Sequence, residues 1–478
     1  MRISEFYKLN RKQPSLDFID VDIIGDTRVF VSPRAIRQLP STWGDECVFL
    51  IQSFFETVLR AIREGKDKEA RNLLGELREP NETHLGLSRG RARGRALGSA
   101  SAHDVWEALS TSEAATSGLL KDLEDAALLV EGISADIVSD MTTNIIRPAL
   151  ISYTQDMCTY LGIPMEVSVD SGPLWDGSKH MWFSKYEQLP TPKNRKLLLV
   201  PKSIVRRRAD YDVNEYFRDY VLQHLRQLEL DDPGSQLVEL LRCGKRRVTK
   251  KALIKRYGSG KGVVVKQTLQ NPHLLQSYKR DKDRESQEAL THEELAAIEE
   301  SERPDYGDLL VAVTGVACGR SEADIYEKAV EALLTALFYP ALTHPVPQMV
   351  MHEGRKRVDI TYTNMATHGF FKWVAAHYPA AHIFVECKNY GREIGNPEID
   401  QISGRFSPSR GQVGLMVCRS FDDKDLFLKR CRDTAQDKRG FVIPLDDDDL
   451  RTLVERRKAG AEPFDASLLK SRFSSLVM

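Results

Sequence analysis

Asp359, Glu386 and Lys388 are the residues of this 478-residue chain whose types and spacing best fit a chemical task. Asp359 lies in KRVDITY, where Arg357, Asp359 and Thr361 alternate with Val358 and Ile360. As a strand, this run projects one carboxylate from its polar side and sends the aliphatic residues to the other. In HIFVECK, Phe384, Glu386 and Lys388 share one face and Ile383, Val385 and Cys387 the other. Two converging carboxylates hold a divalent cation, and a lysine one pleat away orients water or stabilises charge building on phosphorus, so the chemistry indicated is phosphodiester hydrolysis. The apolar neighbours of Glu386 give the triplet its weight, because a glutamate in a buried strand is costly unless a metal or a lysine satisfies it. A purely structural ion pair of Glu386 with Lys388 or Arg357, in a fold that has lost activity, is the competing reading.

An acid-bearing helix, a strand ending in RVDI and a VECKNY strand 27 residues later together resemble the PD-(D/E)xK nuclease superfamily, particularly its branch of type IV restriction and archaeal Holliday-junction nucleases. The resemblance spans about 306–453 and is sharpest over 355–419. It implies an α/β restriction-endonuclease-like domain with a mixed central sheet, and a DNA endonuclease that requires Mg²⁺, with Mn²⁺ as a substitute. It further implies Asp359 and Glu386 as metal ligands, the backbone carbonyl of Cys387 as an added ligand, and Lys388 as the catalytic lysine. Gln401, in PEIDQISGR, fits a glutamine that often joins the site from the following helix, although its helical position is compatible with facing either the site or water. Glu327, in IYEKAVEALL, matches the family's first-helix glutamate, and Glu331, one turn on, stays open as the alternative. Where the superfamily's name has Pro-Asp, this chain has Val358-Asp359, which leaves the ligand in place.

The elements that must position these side chains follow from punctuation and periodicity. A helix over 321–338 takes Ser321 as its N-cap, and strands over 348–352 and 356–362 flank a turn at 353–355. Next come a helix over 370–377, a strand over 382–388, a helix capped by Asn396 with Pro397 at its first position, and a strand over 413–418. A helix over 424–437, a strand over 441–445 and a last helix from 450 complete a mixed sheet flanked by helices. Upstream, alternation predicts a hairpin within 16–31 turning at Gly25-Asp26, and helical spacing predicts helices over 46–63, 105–128, 136–161 and 213–230. Strand-like pieces lie within 175–205, notably KLLLVPKSIV, and RGRARGRALG at 89–98 reads as a basic loop. The expected organisation is a mostly α N-terminal region followed by the nuclease: a helical domain with a short hairpin over 1–165, a mixed α/β domain with a basic segment over 166–278, a charged linker over 279–305, and the nuclease domain over 306–478.

Composition narrows the partners. Hydrophobic residues make up 41% and charged residues 29%, ordinary for a soluble globular protein. With a net charge of only -1, affinity for nucleic acid has to come from a patch. The 25 residues from Arg242 to Lys266 contain ten Lys or Arg and no Asp or Glu, which makes Lys245, Arg246, Arg247, Lys250 and Lys251 candidate phosphate contacts, with a solvated helix and loop as the alternative. Arg392, after the ECK strand, and Arg405, one turn beyond Gln401, are candidates near the site. No apolar run approaches a membrane span and no secretory signal opens the chain, so a cytoplasmic protein without membrane partners is expected. The seven cysteines never form CxxC and suggest neither disulfides nor zinc. GSGKG lacks the first glycine of a P-loop, so ATP-driven action requires a partner ATPase. The resulting expectation is a Mg²⁺-dependent DNA endonuclease with an N-terminal sensor or regulatory region, organised like restriction or anti-phage effectors, with a second copy of itself or a partner ATPase or sensor protein as the expected company. The alternatives are an RNA-cleaving nuclease and a nucleic-acid-binding or scaffold protein with an inert nuclease fold.

Overall fold

Five strands near the C-terminus form one mixed sheet: β1 (Leu342–Met351), β2 (Lys356–Asn364), β3 (His382–Lys388), β4 (Val413–Cys418) and β5 (Phe441–Leu445), in spatial order β5-β4-β3-β2-β1. The structure is a computed structural model, and it describes every residue except 87–98, 209–210, 285–288, 302–303, 352–355, 392–393 and 461–465. β1, β2 and β3 run antiparallel to one another, whereas β3, β4 and β5 run parallel. β4 is buried at every position, as its continuous apolar run requires of an interior parallel strand. β1 begins six residues before the expected 348 because Pro345 and Pro347 read as a break in the sequence; β1 is an edge strand paired only with β2, where proline is tolerated. The turn expected at 353–355 and the basic loop at 89–98 lie outside the described residues.

Helices cover the sheet. The Ala323–Phe338 helix buries Val330, Leu333, Leu334 and Leu337 and packs on β1 and β3. It is preceded by a 3-10 turn, Arg320–Glu322, so Ser321 does not cap it. The Asn396–Ser403 helix takes Gly395 as its N-cap, one residue before the expected Asn396, with Pro397 still in its first turn. The acidic run 446–449 is a helix start: Asp446 and Asp449 form a capping box at the head of Asp447–Lys458. A final helix, Ser467–Val477, was not legible as a separate element and packs Leu469, Phe473 and Leu476 into the same core.

The upstream part is mainly helical. Thr42–Arg63, capped by Ser41, buries Phe54, Phe55, Val58 and Leu59. The helix expected over 136–161 is two, Ala135–Ile145 and Arg147–Leu161, because Pro148 fits a helix only in its first turn. The 105–128 expectation resolves into Ser99–Ser110, Glu113–Thr116 and Leu123–Leu129. No hairpin forms within 16–31; Phe30–Val31 pairs instead with Val205–Arg206, and the alternation there reflects an extended chain with Leu16, Phe18 and Val21 buried. One apolar cluster runs from Ile3 to Leu295 and a second from Tyr306 to Leu476. The first holds residues on both sides of 165/166, and within 279–305 it takes in Leu290 and Leu295, the latter on the helix His292–Glu299. Among the described residues no helix is long and apolar enough to cross a membrane, and the seven cysteines are free.

Candidate active site

The antiparallel register of β2 and β3 pairs Tyr362 with Ile383, Thr361 with Phe384 and Ile360 with Val385, and its continuation sets Asp359 opposite Glu386. Backbone pairing stops there. The amide of Cys387 donates to Asp359 Oδ2 at 2.8 Å, so the carboxylate takes up a β3 donor beyond the end of the ladder. Ile360 enters the main core, but Val358 packs with Phe384 and Phe406 in a separate small cluster. The simple alternation that put Val358 and Ile360 on one apolar side therefore fails at Asp359, where β2 is no longer held by β3.

Glu386 and Lys388 share a face as the pleat dictates, with relative exposures of 1% and 7%. Lys388 Nζ donates to Glu386 Oε1 at 2.7 Å and to Gln401 Oε1 at 3.1 Å. Gln401 Nε2 donates to the same Glu386 Oε1. The Asn396–Ser403 helix thus turns Gln401 toward the site rather than water. Among the described residues the hydrogen bonds to this carboxylate fall on one oxygen, and Glu386 Oε2 is buried without a partner.

Electrostatics draws in the first helix. Burial, and after it the charge of Asp359, push the Glu327 carboxyl up to about 7, while Gln348 opposes the shift by donating from Nε2 at 3.3 Å. Burial also raises Asp359, against the Cys387 amide, Lys388, Arg357 and Arg405, and raises Glu386 together with the charge of Asp359, against Lys388. Burial alone would lower Lys388, but Glu386 and Asp359 outweigh it and hold the ammonium above its ordinary value. Glu331, the alternative to Glu327, is fully engaged elsewhere: Arg11 Nη1 donates to its Oε2 at 2.5 Å, Tyr160 Oη to the same oxygen at 2.7 Å, and Thr335 to its Oε1 at 2.8 Å. Of the two, Glu327 is the one beside Asp359.

No curated protein and no solved structure matches this chain. Residues 8–212 match the profile of a family described as a domain of unknown function, DUF8370. The matched segment holds Arg11 and Tyr160 but ends well before Asp359 and Glu386.

The other candidates divide. Arg405 donates from Nε to the carbonyl of Arg357 at 3.0 Å and bears on Asp359 and Glu386 through its charge alone. Arg392 lies outside the described residues. Lys245, Arg246, Arg247, Lys250 and Lys251 are exposed on a hairpin and helix that belong to the upstream cluster. Burial pushes the Cys387 thiol well above its ordinary value, so this residue serves through its backbone and not as a nucleophile. Gln348 was missed from the sequence; nothing in its strand context marks it as the partner of Glu327. A divalent cation fits this donor set, since a buried, unpartnered carboxylate oxygen stands beside a second carboxylate and each is raised by burial. Among the described residues no group of three or more His, Cys, Asp or Glu side chains is placed to hold a metal ion, so any metal would draw the rest of its ligands from backbone, substrate and water.

Proposed function

We propose that residues 306–478 form a restriction-endonuclease-like domain that hydrolyses phosphodiester bonds of DNA with Mg²⁺, or Mn²⁺ in its place. The observation that carries this reading is the division of labour at Glu386: Lys388 and Gln401 converge on Oε1 and leave Oε2 buried without a partner among the described residues, on a carboxyl that feels the charge of Asp359. Asp359, Glu386 and the Cys387 carbonyl would hold the metal, which when bound supplies charge neutralisation on the scissile phosphate and acidifies a coordinated water. Lys388 keeps its proton at Nζ and presents it to the charge developing on the phosphate. Gln401 fixes the rotamers of both Glu386 and Lys388, which limits how far either strays from a reactive geometry. Glu327, whose carboxyl burial and the charge of Asp359 push up to about 7, is an outer carboxyl whose ionisation a nearby cation would favour.

By organisation, such an enzyme is a cytoplasmic restriction or anti-phage effector, with the upstream part as its sensor or regulator and a partner ATPase supplying any energy. That role rests on the organisation alone. The test is incubation of full-length protein with labelled duplex DNA and labelled RNA of equal length, each in Mg²⁺, Mn²⁺ or chelator. Metal-dependent cleavage of DNA supports the proposal. Cleavage confined to RNA moves the substrate, and salt-sensitive binding without any cleavage converts the molecule into a binding protein on an inert fold.

A further inference from the structure

The basic segment folds into a specific shape. Glu239–Leu240 and Arg246–Arg247 pair as a short antiparallel ribbon, with Glu239 opposite Arg247 and Leu240 opposite Arg246. Thr249 then caps the helix Lys250–Tyr257, accepting from the Ala252 amide. Gly258 and Gly260, at φ +88° and +89°, turn the chain into a second helix, Lys261–Gln270. Val248, Leu253, Val264 and Val265 anchor the unit in the upstream core, so its position is fixed while its outer face stays in solvent.

The cations on this unit fall into two classes. Arg256 pairs with Glu229, Arg246 donates to the Asp232 carbonyl, and Lys261 donates to the carbonyls of Val130 and Ile133; these hold structure. Arg242, Lys245, Arg247, Lys250, Lys251, Lys255 and Lys266 are exposed and make no ion pair among the described residues. Beside them on the ribbon, Leu240 is 77% exposed and Leu241 38%. Unpaired cations around an apolar tip repel one another unless a polyanion covers them. A two-stranded ribbon is of a width that a DNA groove admits, apolar residues at such a tip can wedge against bases, and a helix following the ribbon can track the phosphates.

We propose that this ribbon and the helix behind it are a second contact surface for duplex DNA, with Leu240, Leu241 and Arg242 at the groove and Lys251 and Lys255, one helical turn apart, on the backbone. The choice of DNA over other polyanions rests on the nuclease reading above; the surface itself does not.

The experiment measures full-length protein in chelator, where no hydrolysis interferes, against a fluorescent duplex of about 30 base pairs over a series of salt concentrations. Replacing Lys245, Arg247, Lys251 and Lys255 together by alanine is expected to weaken binding at least about tenfold near 0.1 M salt and to lower the slope of log K against log salt by about 3 to 4. Unchanged affinity and slope overturn the proposal. So does a variant that loses binding to vesicles containing phosphatidylserine while binding the duplex normally. A second readout needs no charge removal: Cys243, exposed at the ribbon's turn, is labelled with an environment-sensitive dye in a Cys318→Ser background, because Cys318 is the other exposed thiol. Emission that shifts on saturation with duplex supports the contact, and emission that stays fixed contradicts it. Cleavage in Mg²⁺ is scored separately. Failure to cleave with the charge dependence intact defeats only the nuclease reading, and cleavage with an unchanged salt slope defeats only this one.

Discussion

The two oxygens of Glu386 have different occupations, and that asymmetry sets what each neighbour should do. Lys388→Ala removes a donor aimed at developing charge while leaving the metal ligands, so the cleavage rate is expected to fall about 10² to 10³-fold with metal binding retained. Gln401→Ala, which releases rotamers and deletes no charge, should cost about tenfold, because slight misplacement already slows such reactions. Single-turnover kinetics beside titration of Mn²⁺ binding separates the two effects, and a Gln401→Ala loss as large as that of Lys388→Ala would contradict these roles. Cys387→Ala should cleave within about threefold of the wild type, since this residue meets the proposed site through its backbone amide and carbonyl. Asp359, Glu386 and Lys388 were legible because each is a charged residue set among apolar ones in a strand-length run, even though the alternation around Asp359 does not hold in the fold. Gln401 and the choice between Glu327 and Glu331 were not: helical phase tells which residues share a side, but not what stands opposite, and Glu331 is held by residues more than a hundred positions away.

At the scale of elements, β3, β4 and β5 carry the bounds their sequence predicts because a buried strand between turn residues has few alternatives. The reading failed where alternation recorded burial without a hairpin, as within 16–31, whose Phe30–Val31 pairs with the distant Val205–Arg206, and where prolines disguised the edge strand β1. The Ala135–Ile145 helix supports a prediction of its own. Burial, and then the charges of Asp136, Glu79 and Asp26, push Asp140 up to about 8. Its folded pKa lies above the unfolded value, so the folded state retains a proton that the unfolded chain releases between about pH 4 and 8. Stability from this group is therefore present at low pH and lost as pH rises through about 8. Urea denaturation of wild type and Asp140→Asn at pH 5, 6.5 and 8 should show the variant gaining relative to wild type as pH increases. A difference that stays constant with pH would contradict the assignment.

Across the whole molecule, a polar seam joins the two apolar clusters next to the proposed site. Arg11 and Tyr160 meet Glu331 one turn beyond Glu327, Tyr362 on β2 donates to the Glu331 carbonyl at 3.1 Å, and the His344 amide of β1 donates to Asp17 at 2.9 Å. The segment matching DUF8370 therefore grips the Ala323–Phe338 helix and the edge strand β1. None of this was legible in the sequence, because the paired residues lie as far as 327 positions apart and no local pattern links them. Glu331→Ala strands the largely covered Arg11 and is expected to cost about 3 kcal/mol, whereas Tyr160→Phe should cost about 1 kcal/mol; equal losses in urea melts would show that the seam is not organised around Glu331. The central claim concerns the site beside this seam, and cleavage of labelled duplex DNA in Mg²⁺ by full-length wild type and Glu386→Gln, each also run in chelator, tests it most directly. Cleavage by the wild type that vanishes both in chelator and in the variant is the predicted result. Equal cleavage by the two proteins, or cleavage that persists in chelator, would contradict a metal-dependent centre at Glu386.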